Sequence, residues 1–364
     1  MNSSEIKPLY RERLKRLRAS MAAKKLGAFL VTDLKNIRYL TGFTGSSAYA
    51  IVSADKAFFL TDPRYTAQSR EEVKGFRVKI FKKALDTVVE ILGEIKADAV
   101  GFESGSVSFD NYSKLAKALK GKAKLKASAG LVSALRSVKD PFEIEKITEA
   151  AKLLDKGFIH AMKVVKPGAI ERDAAFSIET FWRKRGAEAL AFDTIIASGE
   201  RGALPHGKAS EKRIKKGELV VVDMGALLNG YNSDETRTFV TGRPTAKQKK
   251  IYQIVRDAQA AAIESIRPGV KASAVDLAAR SVIEKAGYGK YFGHGTGHGV
   301  GLDIHEAPGL GPTSNEVLEE GMVITVEPGI YEPGWGGVRI EDMALVMKNG
   351  AKLLTSTTRD LVIL

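Results

Sequence analysis

Two hydrophobic rhythms alternate along this chain. Apolar residues at helical spacing mark residues 9–25, where Leu14, Leu17 and Met21 fall on one side. Short apolar runs follow at 28–32 (AFLVT), 48–53 (AYAIVS), 57–61 (AFFLT), 76–81 (FRVKIF) and 98–102 (DAVGF), with Gly42, Gly45 and Ser46–Ser47 marking a turn between the first two. Strands interleaved with helices predict an α/β module over residues 1–127, and 127–139 reads as the connection to a second domain, 128–364. A new helix begins after Asp140. Asp140 caps it, Pro141 takes the first helical position, Glu143 completes a capping box, and apolar positions 144, 147, 151, 154, 158 and 161 continue one face.

The second domain repeats itself. KPGAIERDAAFSIETFWRKRG (166–186) aligns without gaps on RPGVKASAVDLAARSVIEKAG (267–287), an offset of 101 residues. The match resumes where ELVVVDMGA (218–226) meets MVITVEPGI (322–330), and YNSDETRTFV (231–240) and GVRIEDMALV (337–346) hold equivalent places. A period near 100 is too long for a solenoid unit. It predicts a duplicated α/β half-domain with a pseudo-twofold axis and a site between the halves.

Inside the second copy of the repeat lies GHGTGHGVGLDIHE (293–306), with three of the five histidines and glycine at every second position from 293 to 301. Interior glycines cost a helix about 0.5–1 kcal/mol each relative to alanine, so an extended segment is expected. In such a segment His294 and His298 point the same way, and His305 joins them only through a bend or bulge.

Composition narrows the function classes. The 364 residues have the apolar and charged fractions of an ordinary globular protein, 44% and 27%. The absence of cysteine removes disulfides and thiolate chemistry. No apolar run approaches the roughly 18–20 residues of a membrane helix, and the charged N-terminus lacks a signal-peptide core, so a cytoplasmic protein without membrane partners is expected. Net charge is +14, yet the lysines of 114–126 (KLAKALKGKAKLK) have no interleaved aromatics to stack bases, and this reads as a solvated face rather than a nucleic-acid site. GALPHGKA (202–209) falls short of a phosphate loop, because Ala209 stands where a Mg²⁺-binding hydroxyl is needed. His160 reads as a packed or surface histidine.

The duplication also pairs acids. Asp223 and Glu327 end equivalent apolar strands, and Asp234 and Glu341 lie on their partner strands. Four carboxylates on buried strands are costly as bare charges and become sensible around divalent cations. His298 adds one nitrogen donor. This hard, oxygen-rich set suits two Mn²⁺ or Co²⁺ ions, with Fe²⁺ and Zn²⁺ as further candidates, held roughly 3.5–4 Å apart by bridging carboxylates.

Asp223, Asp234, His298, Glu327 and Glu341, separated by 11, 64, 29 and 14 residues, resemble the five metal ligands of the pita-bread metallopeptidases, above all the Xaa-Pro peptidases, prolidase and aminopeptidase P. YLTGFTGSS (39–47) and FFLTDPRYTAQ (58–68) are similar to the creatinase-like N-terminal domain of that family. The resemblance implies a mixed α/β (α+β) fold: a creatinase-like N-terminal α/β domain, then a pita-bread domain with an internal pseudo-twofold repeat. It implies that Asp234 and Glu341 bridge two metals, that Asp223 completes one site, and that His298 and Glu327 complete the other. Glu327 would also take the proton of the attacking water. His294 and His305 would contact substrate and its tetrahedral intermediate, and His206 would sit near the scissile bond. Phe192 and Ile304 would line a proline pocket, and Arg339 would orient a ligand. A homodimer is expected from the family.

The implied function is removal of an N-terminal residue from peptides with proline second. Gly309 stands where some dipeptidases of the family carry an arginine for the substrate carboxylate, which favours an Xaa-Pro aminopeptidase over an Xaa-Pro dipeptidase. Methionine aminopeptidase and creatinase fit less well. A catalytically inactive binding module is the competitor from another class, and the intact ligand set argues against it.

Overall fold

The computed structural model describes residues 3–364. The chain divides into two compact units, Met1–Arg136 and Ser137–Leu364.

The first unit is a six-stranded sheet with helices between its strands. Its strands are β1 (Ala28–Val31), β2 (Ala48–Ser53), β3 (Ala57–Thr61), β4 (Arg77–Ile80), β5 (Ala99–Phe102) and β6 (Lys124–Ala127), in the order β4-β3-β2-β1-β5-β6. All run parallel except β2, which pairs antiparallel with β1 and β3. The five apolar runs are five of these strands. The sixth, KLKA, has the wrong pattern for a buried strand because it is an edge, and lysines on an edge strand discourage pairing with another chain. Glu103, just past β5, is buried; its carboxylate accepts from the backbone N–H groups of Thr32 and Asp33 at 2.7 and 2.8 Å and from the Asn36 amide at 2.7 Å.

The second unit opens with the helix Pro141–Val164, and both bonds of the Asp140–Glu143 capping box are present. The repeat is visible as two helix pairs, Pro141–Val164 with Glu171–Arg183 and Ala246–Ser265 with Ala272–Lys285. Each covers an antiparallel sheet. In the first half, Leu219–Met224 lies between Ile195–Ser198 and Glu235–Val240; in the second, Val323–Val326 lies between Gly297–Gly299 and Asp342–Met347. One apolar cluster centres on Leu154, Ile178, Trp182 and Val222, and the other on Val255, Val275, Ile324 and Ala344. The halves meet where the Glu341 N–H donates to the Thr236 carbonyl at 3.0 Å and Thr238 Oγ1 donates to the Arg339 carbonyl at 2.9 Å.

Candidate metal centre

The two-residue period of a strand decides which side chains meet here. Asp223 is paired across the sheet with Thr236 on one side and Ile195 on the other. Asp234, Thr236 and Thr238 share that face, whereas Glu235 and Arg237 point away from it. From the second half, Arg339 and Glu341 reach the same place: Thr236 Oγ1 donates to Glu341 Oε2 at 2.7 Å and accepts from Arg339 Nε at 3.0 Å.

The histidine segment arrives as expected, with one reduction: only Gly297–Gly299 is regular strand. A shift of register between His298 and Gly299 supplies the bulge, and the chain then turns back so that the His305 ring lies 4.3 Å, edge to face, from that of His298. The glycines permit close backbone passage. A Cβ on Gly297 would lie 2.0 Å from the Thr325 carbonyl oxygen, and one on Gly299 would lie 2.2 Å from that of Ala307. Asn232 pins the returning loop by donating to the carbonyls of Gly301 and Leu302 at 3.0 and 3.1 Å, and buried Lys139 pairs with Glu306 at 2.8 Å.

Asp223, Asp234, His298, Glu327, His206, His294, His305, Phe192 and Arg339 all line one cavity of about 480 Å³. Ligand atoms of Asp234, His298 and Glu341 lie within 4.8 Å of one another. His298 Nε2 is 3.5 Å from Asp234 Oδ2 and 3.4 Å from Glu327 Oε1. Its Nδ1 faces the Gly299 carbonyl at 3.0 Å, so that nitrogen carries the proton and Nε2 presents a lone pair to the carboxylates. Of the expected site residues, Glu341 and Ile304 are not on the cavity wall: Glu341 is buried against Thr236 and within ligand-atom reach of Asp234 and His298, whereas Ile304 stands apart from the lining. Ile195 and Pro205 contribute apolar surface to that wall. His160 lies outside, bonded to Ser177 at 2.9 Å and stacked on Phe181.

The electrostatics are those of acids waiting for a cation. Burial first, and then the neighbouring carboxylates, push Asp234 and Glu341 well above the ordinary carboxylate range, and burial raises Glu327 as well. Arg339 offsets part of this charge, donating to Asp223 Oδ2 at 2.6 Å and to the Tyr331 hydroxyl at 2.8 Å. The other Asp223 oxygen is buried with no partner. Burial also lowers His294, His298 and His305, which keeps these imidazoles neutral. An orphaned carboxylate oxygen, three converging donor atoms and an oxygen-rich set with one neutral imidazole fit divalent cations.

Sequence reasoning passed over Tyr331, whose hydroxyl bridges Arg339 and His294 Nε2 at 2.8 Å from each. It also passed over Thr236 and Thr325, which bond Glu341 and the His298 backbone N–H. The signal for Thr236 and Thr325 was their position two residues from a candidate ligand along a strand.

Comparison with known proteins accounts for both units. Residues 13–138 match the Creatinase/Prolidase N-terminal domain, and residues 145–348 match metallopeptidase family M24. The chain is 43% identical over 353 residues to an Xaa-Pro dipeptidase of Pyrococcus furiosus, covering 97% of this chain and all of that protein. An Xaa-Pro dipeptidase structure from Bacillus anthracis superposes with a TM-score of 0.95 at 41% identity, over 98% of this chain and all of the other. An X-Pro aminopeptidase structure from Thermotoga maritima gives a TM-score of 0.89 at 35% identity, over 97% of this chain and all of the other. The creatinase-like and pita-bread architecture expected from the motifs is therefore present. This chain, with its clustered carboxylates and histidine, belongs to metallopeptidase family M24 and is a hydrolase.

Proposed function

We propose that this protein is an Xaa-Pro dipeptidase using two divalent cations held by Asp223, Asp234, His298, Glu327 and Glu341. The observation that carries the reading is the convergence of ligand atoms of Asp234, His298 and Glu341, at a cavity that Asp234 and His298 line together with Asp223 and Glu327. The dipeptidase reading takes the place of the aminopeptidase expectation drawn from Gly309, because the relatives support it better. Two relatives 42–43% identical over nearly the whole chain are Xaa-Pro dipeptidases, whereas the X-Pro aminopeptidase of Thermotoga maritima is 35% identical.

When bound, the cations would supply Lewis acidity toward the scissile carbonyl and an activated water. The protein's own part is positioning and proton transfer. Glu327, buried with a raised carboxyl, takes the proton of the attacking water and delivers it toward the leaving proline nitrogen. His206, His294 and His305 surround the scissile bond; the His294 ring is held by the Gly295 carbonyl and the Tyr331 hydroxyl, and the imidazoles of His206 and His305 stabilise developing oxyanion charge. Tyr331 and Arg339 fix the His294 ring and the Asp223 carboxylate. Phe192, Ile195 and Pro205 give the pyrrolidine ring its apolar bed. The proline bond is a tertiary amide with no N–H to offer, so recognition falls on the ring.

The test is hydrolysis by metal-stripped protein reloaded with Mn²⁺ or Co²⁺. An Ala-Pro dipeptide is expected to be cleaved at least tenfold faster than Ala-Pro-Ala, the order separating a specific from a marginal terminal contact. Faster tripeptide cleavage would return the assignment to an aminopeptidase. Cleavage of neither with metal bound would refute the Xaa-Pro reading.

A further inference from the structure

A dipeptidase must recognise the free carboxylate at the end of its substrate, and Gly309 supplies no charge for it. Gly309 pairs with His298 and its N–H donates to Glu316 at 2.7 Å, so an acid stands beside that strand. We propose that Lys208 is the specificity-determining cation that receives the C-terminal carboxylate of an Xaa-Pro dipeptide. This rests on the Xaa-Pro reading above.

The argument is one of register. Ile195 pairs with Asp223 on one side and, through an isolated antiparallel bridge, with Lys208 on the other. Directly opposed residues of antiparallel strands point to the same face. Asp223, Ile195 and Lys208 therefore form a row across three strands, and all three line the cavity. Two strand spacings of about 4.8 Å separate the ends of the row by roughly 10 Å. A dipeptide spans about 7 Å when extended. With its scissile carbonyl at the carboxylate cluster, its ring lies over Ile195. Its carboxylate then comes within reach of the lysine's four-carbon arm.

Charge agrees with position. The lysine and arginine side chains lining this cavity are Lys208 and Arg339. Arg339 is buried and bonded to Asp223, Tyr331 and Thr236. Lys208 is 74% exposed, and its ammonium pairs at 2.5 Å with Asp193, itself 71% exposed at the same cavity. An ion pair this exposed contributes little and exchanges readily. A substrate carboxylate takes the ammonium while Asp193 returns to water. A longer peptide or a terminal amide carries no charge at that place and gains nothing from the lysine.

The experiment compares Ala-Pro with its C-terminal amide, measuring kcat and KM separately, for the metal-loaded wild type, K208M, K208R and D193N. The acid-to-amide preference in kcat/KM is expected to fall on the order of tenfold in K208M, through the KM of the acid. K208R should restore most of it, and D193N should keep or increase it. An unchanged preference in K208M overturns the proposal. An equal loss in D193N also overturns it, since the ion pair would then matter only as structure. A wild type that cleaves neither compound removes the Xaa-Pro reading and this inference together. A wild type that cleaves both, with K208M unchanged, removes this inference alone.

Discussion

At the scale of single residues, this molecule handles buried acids in two ways. Asp223, Asp234, Glu327 and Glu341 face one another, whereas Glu103 is met by three N–H donors. Those donors pull the Glu103 carboxyl down, yet burial is the larger effect and its pKa is raised. The folded state therefore holds a proton that the unfolded state has released. The stability this group contributes is complete below its unfolded pKa and is lost as pH rises through its folded one. Urea midpoints of the wild type are expected to fall over that window relative to E103Q, whose profile should be flatter there; parallel profiles would refute the assignment. The candidate ligands were legible because the repeat placed acids at matching points and the segment at 293–306 concentrated the histidines. Ile195 and Tyr331 were not legible. An isoleucine in an apolar strand and a tyrosine in a hairpin look the same whether they face a core or a cavity.

At the scale of elements, the strands Glu235–Val240 and Asp342–Met347 are tied together behind the site. Arg237 points away from the cavity, with Nη2 2.7 Å from Asp342 Oδ1 and 2.7 Å from Glu235 Oε1. These acids follow the candidate ligands Glu341 and Asp234 in sequence. The same guanidinium donates to the carbonyls of Thr236 and Glu341, and to those of Thr357 and Thr358 at 2.6 and 2.9 Å. One side chain thus holds the backbones of both strands in register. R237M leaves buried Glu235 without its cation and Asp342 with only the more distant Arg359, at 4.0 Å, a loss of about 3–5 kcal/mol. Its metal affinity is expected to fall roughly 10–100-fold, as when other outer supports of ligands are removed. Calorimetric titration of the stripped protein with Mn²⁺ checks this, and wild-type affinity in a folded variant would sink it. Helix starts were readable at this scale because a capping box is local chemistry. The edge strand β6 was hidden, since its lysines obey a rule about neighbours that a sequence does not display.

At the scale of the whole molecule, two α/β halves each bring two carboxylates to one place, and the second half also brings His298. Under the proposed metal reading, such a centre would stabilise the protein on binding cations. At a Mn²⁺ concentration 100 times Kd, each site should add about 2.7 kcal/mol. Scanning calorimetry of stripped and reloaded protein should show Tm rising with Mn²⁺; a Tm indifferent to Mn²⁺, Co²⁺, Fe²⁺ and Zn²⁺ would mean that the acids serve another purpose. Among the described residues no helix is long and apolar enough to cross a membrane, as the hydrophobic pattern had implied. The sequence by itself determined the strands and helices, the duplication, the ligand candidates and their chemistry, because period, capping and charge burial are local or pairwise properties. Tertiary structure alone decided which residues share the cavity. It excluded Ile304 from the cavity wall, turned His305 back onto His298, and set Ile195 and Lys208 in line with Asp223. Those choices depend on strand register and chain reversal, which are settled by packing between segments far apart in sequence.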